Sequence, residues 1–230
     1  MFDRNLFTYD EENHLGYYNG KLVPSATQLV DLLYPMNENI PMDRLQKAAD
    51  RGTQLHEGLL SLNQMFDVPY AFERTIKESL NMVKEVTKFK KELLDYVALL
   101  NTYGLRPFDY EELVFLLDEN DDLICYGHYD STMEATRDID LGDTHLFTQG
   151  LLYMVDYKAT SLFNRPKVAF QTSIYATAYE QMSKNYITNC YGMWFNEGIK
   201  LIPLNRQDSA FTIKLCKQLK QVWEKNNEIH

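Results

Sequence analysis

One short segment constrains the fold of this chain more than any other. Residues 151–157 are almost wholly apolar, and Lys158 follows them directly. A strand with one face in water alternates apolar and polar residues, whereas a strand buried on both faces is apolar nearly throughout. We therefore expect this segment to be a central strand of a sheet in an α/β core.

The segments around this strand predict helices, then three strands, a helix, two strands and a helix. Periodicity and turn residues assign, in chain order, a hairpin in 6–24, helices over 26–33, 42–66 and 72–100, strands over 112–117, 123–130 and 151–157, a helix over 166–183, a hairpin over 187–204 and a helix from 208 to about 223. Ser25 and Asp208 are expected N-caps, and Gly104 an expected C-cap. Residues 133–148 are expected to be an irregular insertion.

This order predicts an α/β (α+β) core behind a helical N-terminal region. We expect one domain over residues 1–230. Within it, residues 1–105 would form an N-terminal hairpin and helical region, and residues 106–230 the α/β core.

The cysteine pattern predicts a cytoplasmic protein. The chain has three cysteines, which are scattered along the sequence and odd in number. Such a pattern is typical of reduced thiols and not of a disulfide framework. No apolar run reaches the length of a membrane span, and the N-terminus lacks the features of a signal peptide, so no membrane association is expected.

The net charge of −10 weighs against a nucleic-acid partner, because nonspecific DNA binding depends on Lys and Arg that neutralise phosphates. Binding depends on a local patch, however, and carboxylates that hold a metal ion also add to the negative total. The acidity is therefore a caution and not an exclusion.

The triplet Asp156-Tyr157-Lys158 is the sharpest chemical signal in the sequence. Residues i and i+2 of a strand point to the same face, so Asp156 and Lys158 are expected to lie together. The carboxylate can bind Mg²⁺, which prefers oxygen ligands, and the ammonium can orient a water molecule or stabilise charge on a phosphate. A surface ion pair is the simpler interpretation of the triplet taken alone.

Asp130 and His56 are candidates for the same site. Asp130 is expected to end the strand before the central one, and if these strands are neighbours, its carboxylate meets that of Asp156 at one edge. A cation would relieve their repulsion. His56 shares a helix face with Gly52, and close approach of another element is one reason to keep a glycine there. His56 could then bind a metal ion. A turn aspartate and a half-buried histidine are the alternatives.

Two further pairs could serve this site. Gln171 and Tyr175 lie one turn apart on the helix after Lys158, where an amide and a phenol could bind a phosphate or a base. A polar stripe beside a core helix is the alternative. Glu111 and Glu112 are expected to open the first core strand, and one of them could add a carboxylate. Two solvated acids are the alternative there.

Five segments resemble, in the same order, the motifs of one nuclease family. They are Pro-Ser-Ala-Thr-Gln-Leu at 24–29, Arg-Gly-Thr-Gln-Leu-His-Glu at 51–57, Gly-His-Tyr-Asp at 127–130, Val-Asp-Tyr-Lys-Ala-Thr at 155–160 and Gln-Thr-Ser-Ile-Tyr at 171–175. They resemble P-S-x-T-x-(I/L), R-G-T-x-x-H-E, G-x-x-D, D-(Y/W/F)-K-(T/A/S) and Q-x-x-x-Y. Their order makes the resemblance to RecB-like, phage-type exonucleases of the PD-(D/E)XK superfamily more specific than any single match.

The resemblance implies a restriction-endonuclease-like core, which is a central mixed sheet flanked by helices, and a Mg²⁺- or Mn²⁺-dependent deoxyribonuclease. We expect from it an exonuclease that acts on DNA ends in phage or prokaryotic recombination or repair. DNA is the implied partner, with a recombination or single-strand-binding protein as a second one.

The same resemblance implies roles for particular residues. The implied metal ligands are His56, Asp130, Asp156 and the main-chain carbonyl of Tyr157. Lys158 would be the catalytic lysine, and Gln171 and Tyr175 would line a DNA channel.

Two features depart from the family. Asp130 and Asp156 stand 26 positions apart, which is longer than expected, so residues 133–150 would be an insertion. The three scattered cysteines exclude the family's iron–sulfur version. Two other functions remain open: a catalytically silent nucleic-acid-binding module on the same fold, and an unrelated metallophosphoesterase that acts on small molecules. The complete set of candidate residues argues against the silent module.

Overall fold

Helices and one five-stranded sheet form a mixed α/β fold in the computed structural model, which describes residues 2–35, 41–66, 89–140 and 146–227. The helices are α1 (Ala26–Leu33), α2 (Met42–Phe66), α3 (Lys90–Tyr103), α4 (Arg165–Ser183) and α5 (Ser209–Asn227). The strands are β1 (Phe7–Asp10), β2 (Leu15–Tyr18), β3 (Lys21–Val23), β4 (Leu105–Leu117), β5 (Leu123–Ala135), β6 (Ile139–Asp140), β7 (Leu146–Phe147), β8 (Leu152–Lys158), β9 (Ile187–Phe195) and β10 (Ile199–Leu204).

The central sheet has the strand order β10-β9-β8-β5-β4. Strand β8 lies in the middle of it, parallel to β9 and antiparallel to β5, and the outer pairs are antiparallel. Residues 152–157 of β8 are all buried. The predicted mixed sheet with an apolar central strand is therefore confirmed.

Helices cover both faces of this sheet. Helix α4 packs between one face and the helices α1 and α5, whereas α2 and α3 pack on the other face. All of residues 168–179 of α4 are buried. The hydroxyl groups of Thr172, Ser173 and Thr177 donate to main-chain carbonyls one turn earlier in the helix, which satisfies them inside the core.

The predicted helix caps are confirmed. Ser25 and Gln28 form a reciprocal capping box at the start of α1. Gly104 ends α3 with a φ of +58°, a left-handed conformation that glycine adopts without strain. The side chain of Asp208 accepts a hydrogen bond from the amide of Phe211 at the start of α5. The helix predicted over 72–100 is wrong at Phe89, whose left-handed φ of +56° interrupts a helix, so that α3 begins at Lys90; residues 72–88 lie outside the described residues.

The predicted bounds of the first two core strands are wrong, because β4 and β5 form one long hairpin. Asp130 does not end its strand, and Glu111 and Glu112 do not open theirs: all three lie inside long strands. Residues 133–135, predicted to be irregular, pair with β4, and Met133 and Glu134 pair with β8 as well. The predicted insertion therefore begins later, and it contains the short ladder of β6 and β7.

Polar residues persist in this hairpin because they pair across it. Arg106 on β4 and Glu134 on β5 form an ion pair with a separation of 2.5 Å. Opposite charges at directly facing positions of two strands stabilise a sheet, so a polar stretch can form a strand there.

All three cysteines are free and buried, and they belong to the core on the α4 side of the sheet. In the parts of the chain that the structure describes, no helix combines the length and the apolar character that crossing a membrane requires.

A buried polar cluster connects α2 and α3 to β8. The Tyr96 hydroxyl donates to Asn63 Oδ1 over 2.5 Å, and Asn63 Nδ2 donates to the Tyr157 hydroxyl over 3.3 Å. The two phenol oxygens are 3.0 Å apart. Because buried polar groups are costly to leave unpaired, this cluster favours one position of α2 over the sheet.

We expect Tyr96→Phe to lower the free energy of unfolding by about 1–3 kcal/mol, because Asn63 Oδ1 loses this donor in a buried place. Urea denaturation measures the change. Tyr186→Phe is the control, since the Tyr186 side chain is 71% exposed, and it should shift stability by less than about 0.5 kcal/mol. Equal stability of Tyr96→Phe and the wild type would contradict the role of the cluster.

Candidate metal centre

Three acidic residues occupy neighbouring positions on β4, β5 and β8. The β4–β5 register, continued through its irregular part, places Glu111 opposite Asp130. The β5–β8 register, continued by one residue, places Asp130 opposite Asp156. The predicted meeting of Asp130 and Asp156 is therefore present, but it lies within the sheet, where the pairing of β5 with β8 ends, and not at the ends of both strands.

The Asp130 carboxylate takes the place of a main-chain acceptor at this point. Its Oδ2 accepts a very short hydrogen bond from the amide of Tyr157. Its Oδ1 lies 3.6 Å from His56 Nδ1. One carboxylate oxygen is thus engaged by the sheet, and the other faces helix α2.

His56 approaches these acids from α2. Its Nδ1 is 3.6 Å from Glu111 Oε1, and its ring packs edge-to-face on Tyr157 with a centroid distance of 5.8 Å. One ligand atom from each of His56, Glu111 and Asp130 lies within 4.8 Å of the others. An imidazole and two carboxylates at this spacing can bind a divalent cation. We call these three residues the metal cluster.

A local kink determines which of the two predicted accessory acids joins the cluster. Glu111 has a φ of +51°, which is uncommon for a residue with a side chain. Its neighbour Glu112 is exposed and lies outside the cluster. A left-handed conformation costs a non-glycine residue roughly 1–2 kcal/mol, and such strain is concentrated at functional sites.

Asp156 and Lys158 form a pair beside the metal cluster. Lys158 Nζ lies 2.7 Å from Asp156 Oδ2, and the Asp156 side chain is only 3% exposed. Oδ2 is thus engaged by the Lys158 ammonium, which also lowers the pKa of Asp156 against the effect of burial. The pair is therefore not at the surface.

The acids and bases of the site perturb one another. Burial raises the pKa of Asp156 to about 6, with a further contribution from Asp130 and against the effect of Lys158. Burial also raises the pKa of Asp130, and Glu111 adds to the shift. Burial lowers the pKa of Lys158, but Asp156 and Asp130 outweigh it, so that the net shift is upward. Burial is thus the main cause of the raised pKa values of the two aspartates, and neighbouring negative charge adds to it.

His56 responds to the same crowding. Burial lowers the pKa of His56, but Asp130 and Glu111 outweigh that effect and raise it to about 9. A proton on the imidazole thus balances part of the negative charge. A divalent cation would balance the same charge, because the groups that bind a metal are the ones that otherwise hold protons.

Gly52 does not have the predicted role. A Cβ atom at Gly52 would meet no atom of the described residues within 4 Å, so no described element approaches it closely. Gly52 instead lines an open cleft together with Thr53, His56 and Glu111. Near the site, Gly127 does allow close approach, because a Cβ atom there would lie 2.5 Å from Cε1 of Tyr175.

Gln171 and Tyr175 are buried on α4, beside the metal cluster but not part of it. Gln171 Nε2 donates to the Tyr175 hydroxyl over 2.9 Å and to Thr27 Oγ1 over 3.1 Å. Burial raises the pKa of Tyr175, and the negative charge of nearby Asp156 raises it further. The two side chains line separate clefts that both include Thr27.

Arg51 is a residue of the site region that sequence reasoning did not single out. Its Nη1 donates to the carbonyl of Ala159 over 3.0 Å, just beyond β8, and its Nη2 lies 3.5 Å from Glu92 on α3. It therefore connects α2 to the segment that follows Lys158. In the sequence, the signal that pointed to Arg51 was its place beside Gly52 in the motif at 51–57.

Comparisons with known proteins give little further information. No protein-family model matches this sequence, and no curated protein matches it significantly. Among solved structures, the chain is similar to the crystal structure of SSO0001, with a TM-score of 0.33 and 9% identity over 63% of this chain and 71% of that one. A similarity at this level supports no conclusion about fold or function.

We expect Glu111→Gln to weaken Mn²⁺ binding by about tenfold or more, because a charged oxygen ligand is replaced by a neutral one; tenfold corresponds to about 1.4 kcal/mol. Isothermal titration calorimetry measures the affinity. Glu112→Gln removes the same charge one residue away, outside the cluster, and should change the affinity by less than about twofold. Equal effects of the two variants would mean that only net charge matters.

Proposed function

We propose that this protein is a Mg²⁺- or Mn²⁺-dependent nuclease that cleaves DNA beside the metal cluster. The supporting observation is the convergence of His56, Glu111 and Asp130 next to the buried pair of Asp156 and Lys158. These residues come from α2, β4, β5 and β8, and a bare structural role would not require so many acids in one place.

The residues present fit a divalent cation of this kind. Glu111, Asp130 and Asp156 offer the oxygen ligands that Mg²⁺ and Mn²⁺ prefer, and His56 offers a nitrogen that favours Mn²⁺. Asp156 is a fourth candidate ligand, because its buried carboxylate lies opposite Asp130 in the continued β5–β8 register. The implied carbonyl ligand of Tyr157 stays part of the proposal. When bound, such a cation activates water and neutralises charge on a phosphate.

The side chains around the cluster have separate tasks in this proposal. Lys158 donates from Nζ to the attacking water or to a phosphate oxygen, where negative charge develops in the transition state. Asp156 holds that ammonium in place over 2.7 Å. The Tyr157 amide fixes the orientation of the Asp130 carboxylate.

DNA placement falls to the neighbouring clefts. Gln171 lines one cleft together with Lys158, Asn164 and Lys167, whose cationic and amide groups suit a phosphate backbone. The specific form that we propose is an exonuclease acting on DNA ends in phage or prokaryotic recombination or repair. A recombination or single-strand-binding protein would be a second partner, and the buried free thiols fit a cytoplasmic location.

The direct test is incubation of the purified chain with end-labelled linear DNA and closed circular DNA, with Mn²⁺ or with EDTA. We expect loss of the linear DNA in Mn²⁺ only, and survival of the circle. Bis(p-nitrophenyl) phosphate serves as a small substrate in parallel. Hydrolysis of that ester without cleavage of DNA would favour a small-molecule phosphoesterase. DNA binding with no cleavage of either substrate would favour a silent binding module.

We expect Lys158→Ala to slow single-turnover cleavage in saturating Mn²⁺ by about 100-fold or more, because it removes a transition-state contact worth several kcal/mol. Mn²⁺ and DNA affinity should persist. Lys225→Ala, an exposed lysine on α5, is the control and should cleave like the wild type. A loss of cleavage rate of less than about tenfold, or roughly 1.4 kcal/mol, would mean that Lys158 serves only as the ion-pair partner of Asp156.

We expect Gln171→Ala to raise the KM for DNA more than it lowers kcat, because Gln171 lies beside the cluster and not in it. Steady-state kinetics on a labelled oligonucleotide separate the two parameters. Asp156→Asn is the contrasting variant, since it should lower kcat strongly while the fold remains. A pure kcat defect in Gln171→Ala would move this residue into the chemical step.

A further inference from the structure

A second cleft lies beside Tyr175, and neither the metal cluster nor the DNA-placement residues proposed above explain its lining. Rings supplied by Tyr9, His14, Tyr126, His128 and Tyr175 dominate its walls. We call it the aromatic cleft. Its volume of about 390 Å³ falls in the range of roughly 300–1,000 Å³ that is typical of small-molecule sites, and it would suit a nucleotide.

Three of these rings form an accessible wall. The ring centroids of Tyr9 and His128 are 5.6 Å apart with an interplanar angle of 58°. The Tyr9 hydroxyl lies 3.1 Å from His14 Nδ1, so the phenol and this imidazole are held together. Both histidines are exposed and Tyr9 is half-buried, which leaves ring surface open to a ligand.

The wall is firmly attached to the central sheet. The buried ring of Tyr126 packs where a side chain on Gly16 would collide with it, at 2.3 Å from an added Cβ atom. The Tyr126 hydroxyl donates to the carbonyl of His14, and its amide donates to the carbonyl of Pro24, each over 3.3 Å. The hairpin of β1 and β2 therefore carries Tyr9 and His14 at a fixed place beside β5.

The aromatic cleft lies next to the proposed reaction centre. Tyr175 forms part of its wall, and the charges of Asp156 and Lys158 both act on the Tyr175 phenol. Strand β5 supplies Gly127 and His128 to the cleft and Asp130 to the metal cluster. A DNA strand bound at the cluster would therefore pass close to the cleft.

The lining also selects the kind of group that fits. Among the described residues, those that line the aromatic cleft include no Lys, Arg, Asp or Glu. A phosphate would find no cation there, whereas the cleft on the other side of Thr27 contains Lys158 and Lys167. The two clefts thus divide into one that suits phosphates and one that suits a flat, uncharged ring.

We propose that the aromatic cleft holds an unpaired base next to the scissile phosphate, packed against the rings of Tyr9 and His128, so that the enzyme selects single-stranded or frayed DNA ends. The inference rests on the nuclease function proposed above. Every base has a π face, so stacking on aromatic residues is independent of sequence. A base inside a duplex would first have to leave its stack, which favours an end that is already open.

The test compares a single-stranded oligonucleotide with a counterpart that lacks the bases flanking the cleavage site. We expect the wild type to show a kcat/KM at least about fivefold higher for the intact oligonucleotide, the lower end of what one stacked base contributes. In Tyr9→Ala and His128→Ala this ratio should fall toward one, because both substrates then lack stacking. The wild type should also cut single strands faster than a blunt duplex.

Two control variants keep the test sharp. Tyr9→Phe retains the ring and should retain the ratio, which guards against a folding defect in Tyr9→Ala. Tyr18→Ala removes a tyrosine of the same hairpin that packs on Phe2, outside the cleft, and should also retain it. A wild-type ratio near one, or an unchanged ratio in Tyr9→Ala and His128→Ala, would overturn the base site and leave the nuclease proposal standing. A wild type that cuts no DNA would overturn both.

Discussion

The hydrogen bond from the Tyr157 amide to the Asp130 carboxylate is the interaction on which the site depends. A buried amide must find an acceptor, and here the neighbouring strand supplies a side chain in place of a main-chain carbonyl. This hydrogen bond therefore holds the Asp130 carboxylate inside the sheet, a place where an unpaired carboxylate would be unfavourable. The phenol of Tyr157 is buried with Asn63 and Tyr96 under α2 and α3. Tyr157 therefore connects the three acidic residues of the sheet to α2, the helix that carries His56.

This arrangement concentrates charge where a folded chain would ordinarily avoid it. Glu111, Asp130 and Asp156 lie at neighbouring positions, and the raised pKa values of the two aspartates reflect both burial and mutual repulsion. Lys158 and a protonated His56 offset part of this negative charge. The strained φ of Glu111 adds a further cost. Backbone strain and buried charge that the packing of the core does not require are typical of sites that are retained for function at the expense of stability.

The sequence predicts those parts of the fold that depend on local patterns. The apolar run at 152–157, the hairpin of β9 and β10 and the caps at Ser25 and Gly104 all have local signals, and all are present. The choice of Glu111 over Glu112 has no such signal, because it follows from a backbone kink inside a long hairpin. The length of that hairpin also escapes prediction, since cross-strand pairs such as Arg106 with Glu134 stabilise a stretch that reads as polar.

The acidity of the chain becomes easier to understand once the two clefts are considered together. A protein with a net charge of −10 gains little from a long phosphate track, because each contact must overcome repulsion from the rest of the surface. In the proposed nuclease, stacking on aromatic rings would avoid that repulsion, and Lys158 and Lys167 would need to neutralise only the phosphates nearest the cut. Binding of this kind favours a short, open end over a long duplex. The composition that argued against a DNA-binding protein is therefore compatible with one that holds a single nucleotide or two.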